Sequence, residues 1–149
     1  MVNERGNIGQ TDKVNPLIRF KCDKAVQLLR YGTFDIPDVQ TWAEKAGVSR
    51  RWLCRSMKVV YGKPPKIILR EMRYEKVVLS IREHGLNAGC YATAVDVGFS
   101  NDAALSRFLS SFYDTTFTKL KEDIVLGRIR VSFVWLRNMP KWETEGSDW

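Results

Sequence analysis

The residues of this 149-residue chain with the clearest chemical potential are three cations, Arg51, Arg55 and Lys58. They recur at i, i+4 and i+7, so a helix would present all three on one face. A row of such groups binds phosphates, and an arginine can also donate two hydrogen bonds to O6 and N7 of guanine. The spacing therefore indicates a helix face suited to a polyanion.

The neighbouring residues predict the helix that would carry this face. An apolar stripe with the same spacing occupies another side, at Leu53, Met57 and Val60. Ser49 can N-cap this helix, and it follows a short helix that contains Trp42 and ends at Gly47. A helix, a glycine turn and a capped cationic helix together make a helix-turn-helix, in which the second helix reads the major groove.

The composition predicts a folded, basic protein. The chain is 44% hydrophobic and 11% aromatic, which permits a core in one domain or in two small domains. The formal net charge is +7, and residues 49–82 alone contain ten basic and two acidic side chains. This concentration of positive charge suits a polyanionic partner.

Several other function classes lack the residues that they need. Cys22, Cys54, Cys90 and the one histidine have neither zinc-ligand spacing nor the pattern of a disulfide framework. With no nucleophile–base pair and no glycine-rich phosphate loop, the sequence predicts no enzyme activity, no metal and no cofactor. It contains no signal peptide and no apolar run near the ~18 residues of a membrane span, which predicts a reduced, soluble, cytoplasmic protein without a membrane partner.

The remaining patterns predict an all-α fold of about seven helices. Its segments would be a flexible arm (1–14), a first helix-turn-helix lobe (15–62), a linker helix (63–85), a second lobe (86–126) and a C-terminal extension (127–149). The first helix would begin at Asn15-Pro16 and end near Gly32. Its inward residues would be Leu17, Phe20, Ala25, Leu28 and Leu29.

The linker helix, expected from Pro65 to His84, combines an apolar side with many charges. Its apolar side would be formed by Ile67, Tyr74, Val77 and Ile81. Its surface cations would be Arg70, Arg73, Lys76 and Arg82. Glu71 and Glu75 lie at i and i+4 beside these cations, so a surface ion network is expected. Trp42 and Trp52 are expected in the core.

The second lobe repeats the first. Residues 94–100 have the pattern of residues 43–49, Ala-x-x-x-Gly-apolar-Ser, at an offset of 51 residues. One residue is then added, and Leu105-x-Arg107 corresponds to Leu53-x-Arg55. The apolar stripe of this helix would be Leu105, Phe108, Leu109 and Phe112, opposite Ala103, Ser106, Arg107 and Ser110. Two such copies joined by a long helix arise by chance far less often than one copy.

With these motifs in order, residues 15 to about 122 resemble the tandem helix-turn-helix DNA-binding domain of the AraC/XylS transcription regulators. The resemblance depends on Trp42-Ala43…Gly47, Leu53-Cys-Arg55-Ser-Met57-Lys58, Gly62, Arg73-Tyr-Glu-Lys-Val77, Ala94…Gly98-Phe99, Leu105-Ser-Arg107 and Phe112-Tyr-Asp114. It implies seven helices in two lobes and a sequence-specific regulator. Its two recognition helices would enter successive major grooves of double-stranded DNA.

The resemblance also implies the contact residues. The base-reading candidates are Arg51, Cys54 and Arg55 in the first copy, and Asn101, Asp102, Ala103, Ala104, Ser106 and Arg107 in the second. The candidates for phosphate contacts are Ser49, Arg50, Lys58, Lys63, Lys66, Ser100 and Lys119. Because Asp102 would face a polyanion, the second helix is expected to read less sequence than the first.

Two other functions remain open for the same residues. One is a protein-interaction module, a degenerate family member whose partner would be RNA polymerase or another regulator. The other is binding of nucleic acid without sequence preference, through the basic segment alone. The chain itself is expected to be a monomer.

The extension 127–149 lies outside the resemblance. Its apolar residues Ile129, Val131, Phe133 and Trp135 alternate with Arg128, Arg130 and Ser132. This alternation favours a strand, with an extension of the last helix as the alternative. Because the segment also contains Leu136 and Trp142, burial of its apolar groups would stabilise an ordered conformation. We expect the extension to fold back on the second lobe rather than to pair with another chain.

Overall fold

The computed structural model describes residues 14–32 and 36–136. These residues form seven α-helices and no strand, which confirms the predicted all-α class. The helices are α1 (Pro16–Gly32), α2 (Val39–Ala46), α3 (Arg50–Tyr61), α4 (Pro65–His84), α5 (Cys90–Val97), α6 (Asp102–Tyr113) and α7 (Phe117–Val125). A 3-10 turn, Gly85–Asn87, follows α4. The chain divides into two compact units between Arg70 and Glu71, within α4.

Side-chain caps fix the starts of several helices, including α1, whose start at Asn15-Pro16 the sequence predicted. The Asn15 Oδ1 atom accepts a hydrogen bond from the Leu17 N–H at 2.8 Å. The Asp38 carboxylate accepts from the Thr41 N–H at 2.8 Å, and the Thr116 hydroxyl accepts from the Lys119 N–H at 3.1 Å. Each bond satisfies a backbone donor that the first turn of a helix leaves unpaired.

The core of the first unit lies where α1, α2 and α3 contact one another. Trp42 is fully buried there, as predicted, and its Nε1–H donates to the carbonyl oxygen of Ala25 at 2.8 Å. Leu53 and Met57 of α3 are also fully buried. The core therefore holds α3 by its apolar stripe and leaves the opposite side of that helix exposed.

The inner face of α1 differs from the prediction. Leu17, Phe20 and Leu28 were expected inside, but they are 58%, 57% and 37% exposed. The buried side consists of Cys22, Ala25, Val26 and Leu29. The helix thus has two apolar stripes, and helical spacing alone does not determine which of them meets the core.

The core of the second unit combines the C-terminal half of α4 with α5, α6 and α7. Val77 and Ile81 are fully buried there, as predicted. The Tyr74 ring stacks on the Tyr113 ring with a centroid distance of 3.8 Å. On α6 the buried residues are Leu105, Phe108 and Leu109. Phe112 was expected in this stripe, but it is 50% exposed.

Two predicted surface cations of α4 are instead half-buried in the second unit. The Arg73 guanidinium lies 5.5 Å from the centroid of the Phe99 ring, a cation–π contact. Burial lowers the pKa of the Lys76 ammonium to about 8. Arg82 is exposed, as expected, and lies 4.9 Å from the centroid of the Phe133 ring. Arg70, in the first unit, is also half-buried.

Residues 127–136, the described part of the C-terminal extension, form neither a strand nor a continuation of α7. Within the described residues, the backbone N–H groups of Val134, Trp135 and Leu136 donate to the carboxylate of Glu75. The Trp135 indole N–H donates to Glu71 at 3.0 Å. Both carboxylates thus bind the extension, and Glu75, at 4% exposed, is buried rather than part of the expected surface ion network.

The extension folds back as far as residue 136, as expected, but residues 134–136 bond to Glu71 and Glu75 of α4, the predicted linker helix, whereas contact with the second lobe (86–126) was expected. Trp135 and Leu136 are 5% exposed each, although the segment carrying them has no regular secondary structure. Trp142 lies outside the described residues. The extension packs on α4, so it stabilises the unit to which the second helix-turn-helix belongs.

Candidate nucleic-acid interface

The first helix-turn-helix depends on one left-handed residue and one cap. Gly47 has φ of 74°, and its N–H donates to the carbonyl oxygens of Ala43 and Glu44. Such a conformation costs glycine little, and an L side chain would be strained there. The Ser49 hydroxyl then accepts a hydrogen bond from the Trp52 N–H at 3.0 Å, which fixes the start of α3.

The exposed face of α3 is mainly cationic. Arg51, Arg55 and Lys58 are all exposed, as the spacing predicted. The helix carries four basic side chains, with Arg50 the fourth, and no carboxylate. The face therefore attracts anions without an internal acidic partner to neutralise it.

An open cleft of about 510 Å³ adjoins this face. Its lining consists of Ile18, Ser49, Arg51, Trp52, Arg55, Ser56 and Val59. Trp52 was expected in the core, but it is half-buried and lies in this lining. The Lys21 ammonium is 5.9 Å from the centroid of its ring.

The other candidates of the first unit are partly or fully accessible. Arg50 and Lys66 are exposed, whereas Lys63 and Cys54 are half-buried. Trp52 and Val59 were not predicted as part of the site, although both line its cleft. Their spacing with Arg55 and Ser56 follows a helical face, so the signal was present in the sequence.

The second helix-turn-helix has the same backbone geometry. Gly98 has φ of 108°, and its N–H donates to the carbonyl oxygens of Ala94 and Val95. The cap, however, is Asn101, whose Oδ1 atom accepts from the Ala104 N–H at 2.9 Å. The residue added in this copy thus transfers the capping role from the serine position to the next residue.

The exposed face of α6 is nearly neutral. It carries one arginine and one aspartate in place of the four cations of α3. The exposed candidates are Asn101, Asp102, Ala103, Ser106 and Arg107, and Ala104 is half-buried. The Asp102 carboxylate accepts a hydrogen bond from the Ala103 N–H at 3.1 Å. The exposed faces of α3 and α6 therefore differ strongly in charge, while the two turns that precede these helices share one backbone plan.

The last two candidates for phosphate contacts in the second unit are also accessible. Ser100 and Lys119 are exposed. The Lys119 ammonium lies 3.4 Å from the carboxylate of Asp123, which also lies 3.5 Å from the Arg128 guanidinium. The charge of Lys119 is therefore partly balanced by Asp123.

Within the described ranges, no group of three or more histidine, cysteine or acidic side chains could hold a metal ion. No helix in the same part of the chain has the length and apolarity that crossing a bilayer requires.

Two glycine turns, each leading into a capped helix with an exposed face, define a helix-turn-helix protein. A family model described as a helix-turn-helix domain, of the AraC/XylS type, matches residues 42–123. This match covers more than half of the chain, and the chain therefore belongs to the AraC/XylS helix-turn-helix family. Members of this family are DNA-binding transcription regulators rather than a family of enzymes. Neither the search of curated proteins nor the search of solved structures found a significant match.

Proposed function

We propose that this protein is a sequence-specific transcription regulator that reads double-stranded DNA mainly through α3. The observation that supports this proposal best is the exposed row of Arg51, Arg55 and Lys58 on a helix anchored by Leu53 and Met57. A helix anchored in this way can enter a major groove with its cations already facing outward.

The side chains of the first unit would make two kinds of contact with DNA, to bases and to phosphates, according to their chemistry. Arg51 and Arg55 can form paired hydrogen bonds to guanine, because a guanidinium has a planar fork of donors. Lys58 and Lys66 suit phosphates, since an ammonium is a point charge without such a fork. The Ser49 hydroxyl accepts one bond as a cap, and its own O–H stays available to donate to a phosphate oxygen.

The second unit would contribute a weaker contact in a neighbouring major groove. Arg107 is the base-reading candidate with a guanidinium, whereas Asp102 would repel a nearby phosphate. Ala103 and Ser106 are small, so they would allow close approach to the bases while providing few hydrogen bonds. We therefore assign most of the sequence reading to α3.

A selection of bound sites from random duplex DNA tests this proposal. The expected consensus has one strong and one weak half-site, about one helical turn (~34 Å) apart. A competition assay with a random duplex, repeated at several salt concentrations, accompanies the selection. Uniform binding with a steep salt dependence would identify a non-specific nucleic-acid binder. No binding even at low salt would favour a protein-interaction module, with RNA polymerase as one candidate partner.

A further inference from the structure

We propose that the exposed side of α1 is a docking groove for an acidic amphipathic helix of a partner protein. This groove shares no lining residue with the cleft beside α3, although Lys21 of its rim contacts Trp52 of that cleft, and the proposal goes beyond the DNA-binding function. The proposal depends on three observations: a second apolar stripe on α1, an open groove beside it, and the charge at the rim of that groove.

Besides its buried stripe, α1 has an exposed apolar stripe. Leu17, Phe20, Leu28 and Tyr31 are 58%, 57%, 37% and 52% exposed. At 100° per residue these four residues lie together on the side of α1 that faces away from its buried stripe. Large apolar side chains clustered in this way on a surface typically mark an interaction site.

The second observation is an open groove of about 630 Å³ along this side of α1. One wall is α1, with Phe20 and Leu28, and the other is the end of α2 with the turn at Gly47-Val48. The buried residues Ala25 and Ile36 contribute apolar lining. The groove has room for large apolar side chains. An amphipathic helix binds by inserting such side chains into a groove of this kind. No strand edge exists among the described residues, so pairing with an added strand is not the mode expected here.

The charge of the rim determines the kind of partner. Lys21, Lys24 and Lys45 are exposed and belong to the lining, which contains no carboxylate in the described part of the chain. The carboxylate of Asp23, the acidic residue of α1, accepts a hydrogen bond from the Tyr61 hydroxyl and does not reach the groove. Acidic side chains beside an apolar anchor would therefore meet the three lysines of the described lining.

The same charges argue against a second copy of this chain as the occupant. Helix α1 contains four basic residues and one acidic residue. Two α1 helices facing each other would bring like charges together, which is unfavourable at close range. A partner of opposite charge fits both the stripe and the rim.

A binding titration with the full chain, in the absence of DNA, tests the proposal. The probe is a fluorescein-labelled peptide of about four helical turns, with leucine and tryptophan on one face and glutamate on the other. Binding is followed by fluorescence anisotropy, and amide chemical shifts in nuclear magnetic resonance spectra locate the site. The matched control peptide has lysine in place of every glutamate. We expect the acidic peptide to bind, with shifts at groove residues, and the lysine peptide to bind at least about tenfold more weakly.

Matched variants separate the groove from other surfaces. The double variants Phe20→Ser/Leu28→Ser and Lys21→Glu/Lys24→Glu should each weaken binding at least about tenfold. Leu86→Ser and Arg130→Glu change equally exposed residues of the second unit and should leave binding unchanged. Circular dichroism melting verifies that each variant is folded. Failure of the DNA selection would leave this result intact, because no DNA is present in the titration.

Three results would overturn the proposal. The first is absence of peptide binding. The second is an equal loss of binding in Arg55→Ala, which would mean that the peptide occupies the cationic face of α3. The third is self-association of the chain that Phe20→Ser/Leu28→Ser abolishes in analytical ultracentrifugation, which would identify the face as a contact between copies.

Discussion

The backbone N–H of Trp135 donates a 2.9 Å hydrogen bond to the carboxylate of Glu75, which lies 60 residues earlier in the sequence. The same carboxylate accepts from the N–H groups of Val134 at 2.8 Å and Leu136 at 3.0 Å. Glu75 is only 4% exposed, so these bonds replace the water that its oxygens have lost. One side chain of α4 thus satisfies three consecutive amides of the C-terminal extension.

The substitution Glu75→Ala should destabilise the second unit by about 3 kcal/mol. It leaves three backbone donors without their acceptor in a partly or fully buried environment, and donors left in this way are costly. Urea denaturation measures the loss. Glu83→Ala, at an exposed carboxylate of the same helix, is the matched control and should change stability by less than about 0.5 kcal/mol. Equal effects of the two substitutions would contradict the role assigned to Glu75.

The stability that depends on Glu75 should vary with pH. Burial raises the pKa of this carboxyl above its usual value of 4.5, although the three N–H donors oppose the change. The folded protein then keeps a proton that the unfolded chain has released, so the free energy of unfolding falls as pH rises from 4.5 through the raised pKa. Urea denaturation of the unaltered protein and of Glu75→Gln at several pH values isolates this effect. If the unaltered protein instead becomes more stable relative to Glu75→Gln as pH rises, the effect of the hydrogen bonds on the pKa outweighs that of burial.

A chain that ends at Leu126 should melt at a lower temperature and keep its oligomeric state. Removal of Trp135 and Leu136 exposes apolar surface of α4. The free energy of unfolding should fall by about 1.5–3 kcal/mol for each side chain that is removed. Calorimetry measures the melting temperature, and light scattering measures the mass. If the melting temperature is unchanged and a dimer becomes a monomer, the extension is an association element and this account of it is wrong.

Arg55 and Lys58 should differ in what they contribute to DNA binding. Arg55→Ala should cost about 1–3 kcal/mol on the selected site and relax the preference at one base position. Lys58→Ala should weaken binding to all sequences alike and reduce the slope of log K against log salt by about one. Titrations on specific and random duplexes at several salt concentrations make the comparison. An equal loss for Arg55→Ala on both duplexes would reject base reading by this residue.

Bound DNA should protect Cys54 from alkylation. This thiol is half-buried on α3, among the candidate base-reading residues, so a duplex in contact with that face would cover it. Cys22 is fully buried and its pKa is raised to about 11, which makes it an unreactive internal reference at neutral pH. Iodoacetamide labelling followed by mass spectrometry gives the rate at each cysteine. The variant Arg55→Ala should lose the protection at matched DNA concentration. Alkylation of Cys54 at the same rate with and without saturating DNA would place the duplex elsewhere.

The local features of this fold could be predicted because their causes lie within a few residues. The caps at Asp38, Ser49 and Thr116 need only an acceptor side chain and a backbone N–H three residues later. The turns at Gly47 and Gly98 need a residue that tolerates positive φ. The outward direction of Arg51, Arg55 and Lys58 followed from helical spacing against a buried apolar stripe.

The features that depend on distant parts of the chain could not be predicted. Glu75 lies close to Arg73 and Lys76 in the sequence, and this spacing predicts an ion network. Its role as an acceptor depends on the position of residues 134–136, which the local sequence does not show. Helix α1 offers two apolar stripes, and the packing of α2 and α3 decides which one is buried. The sequence around Trp52 likewise predicts a core residue. Its position in the cleft depends on Ile18, which belongs to another helix.

The paired turns at Gly47 and Gly98 have a consequence for how this protein could diversify. Each turn is maintained by backbone hydrogen bonds and by a cap, Ser49 or Asn101, at the edge of the exposed face. The outward side chains of α3 and α6 can therefore mutate without disturbing the turns that orient them. A duplicated unit of this kind can acquire two different specificities by drift at a few outward positions. A library randomised at those positions alone would explore new recognition while retaining the inherited scaffold.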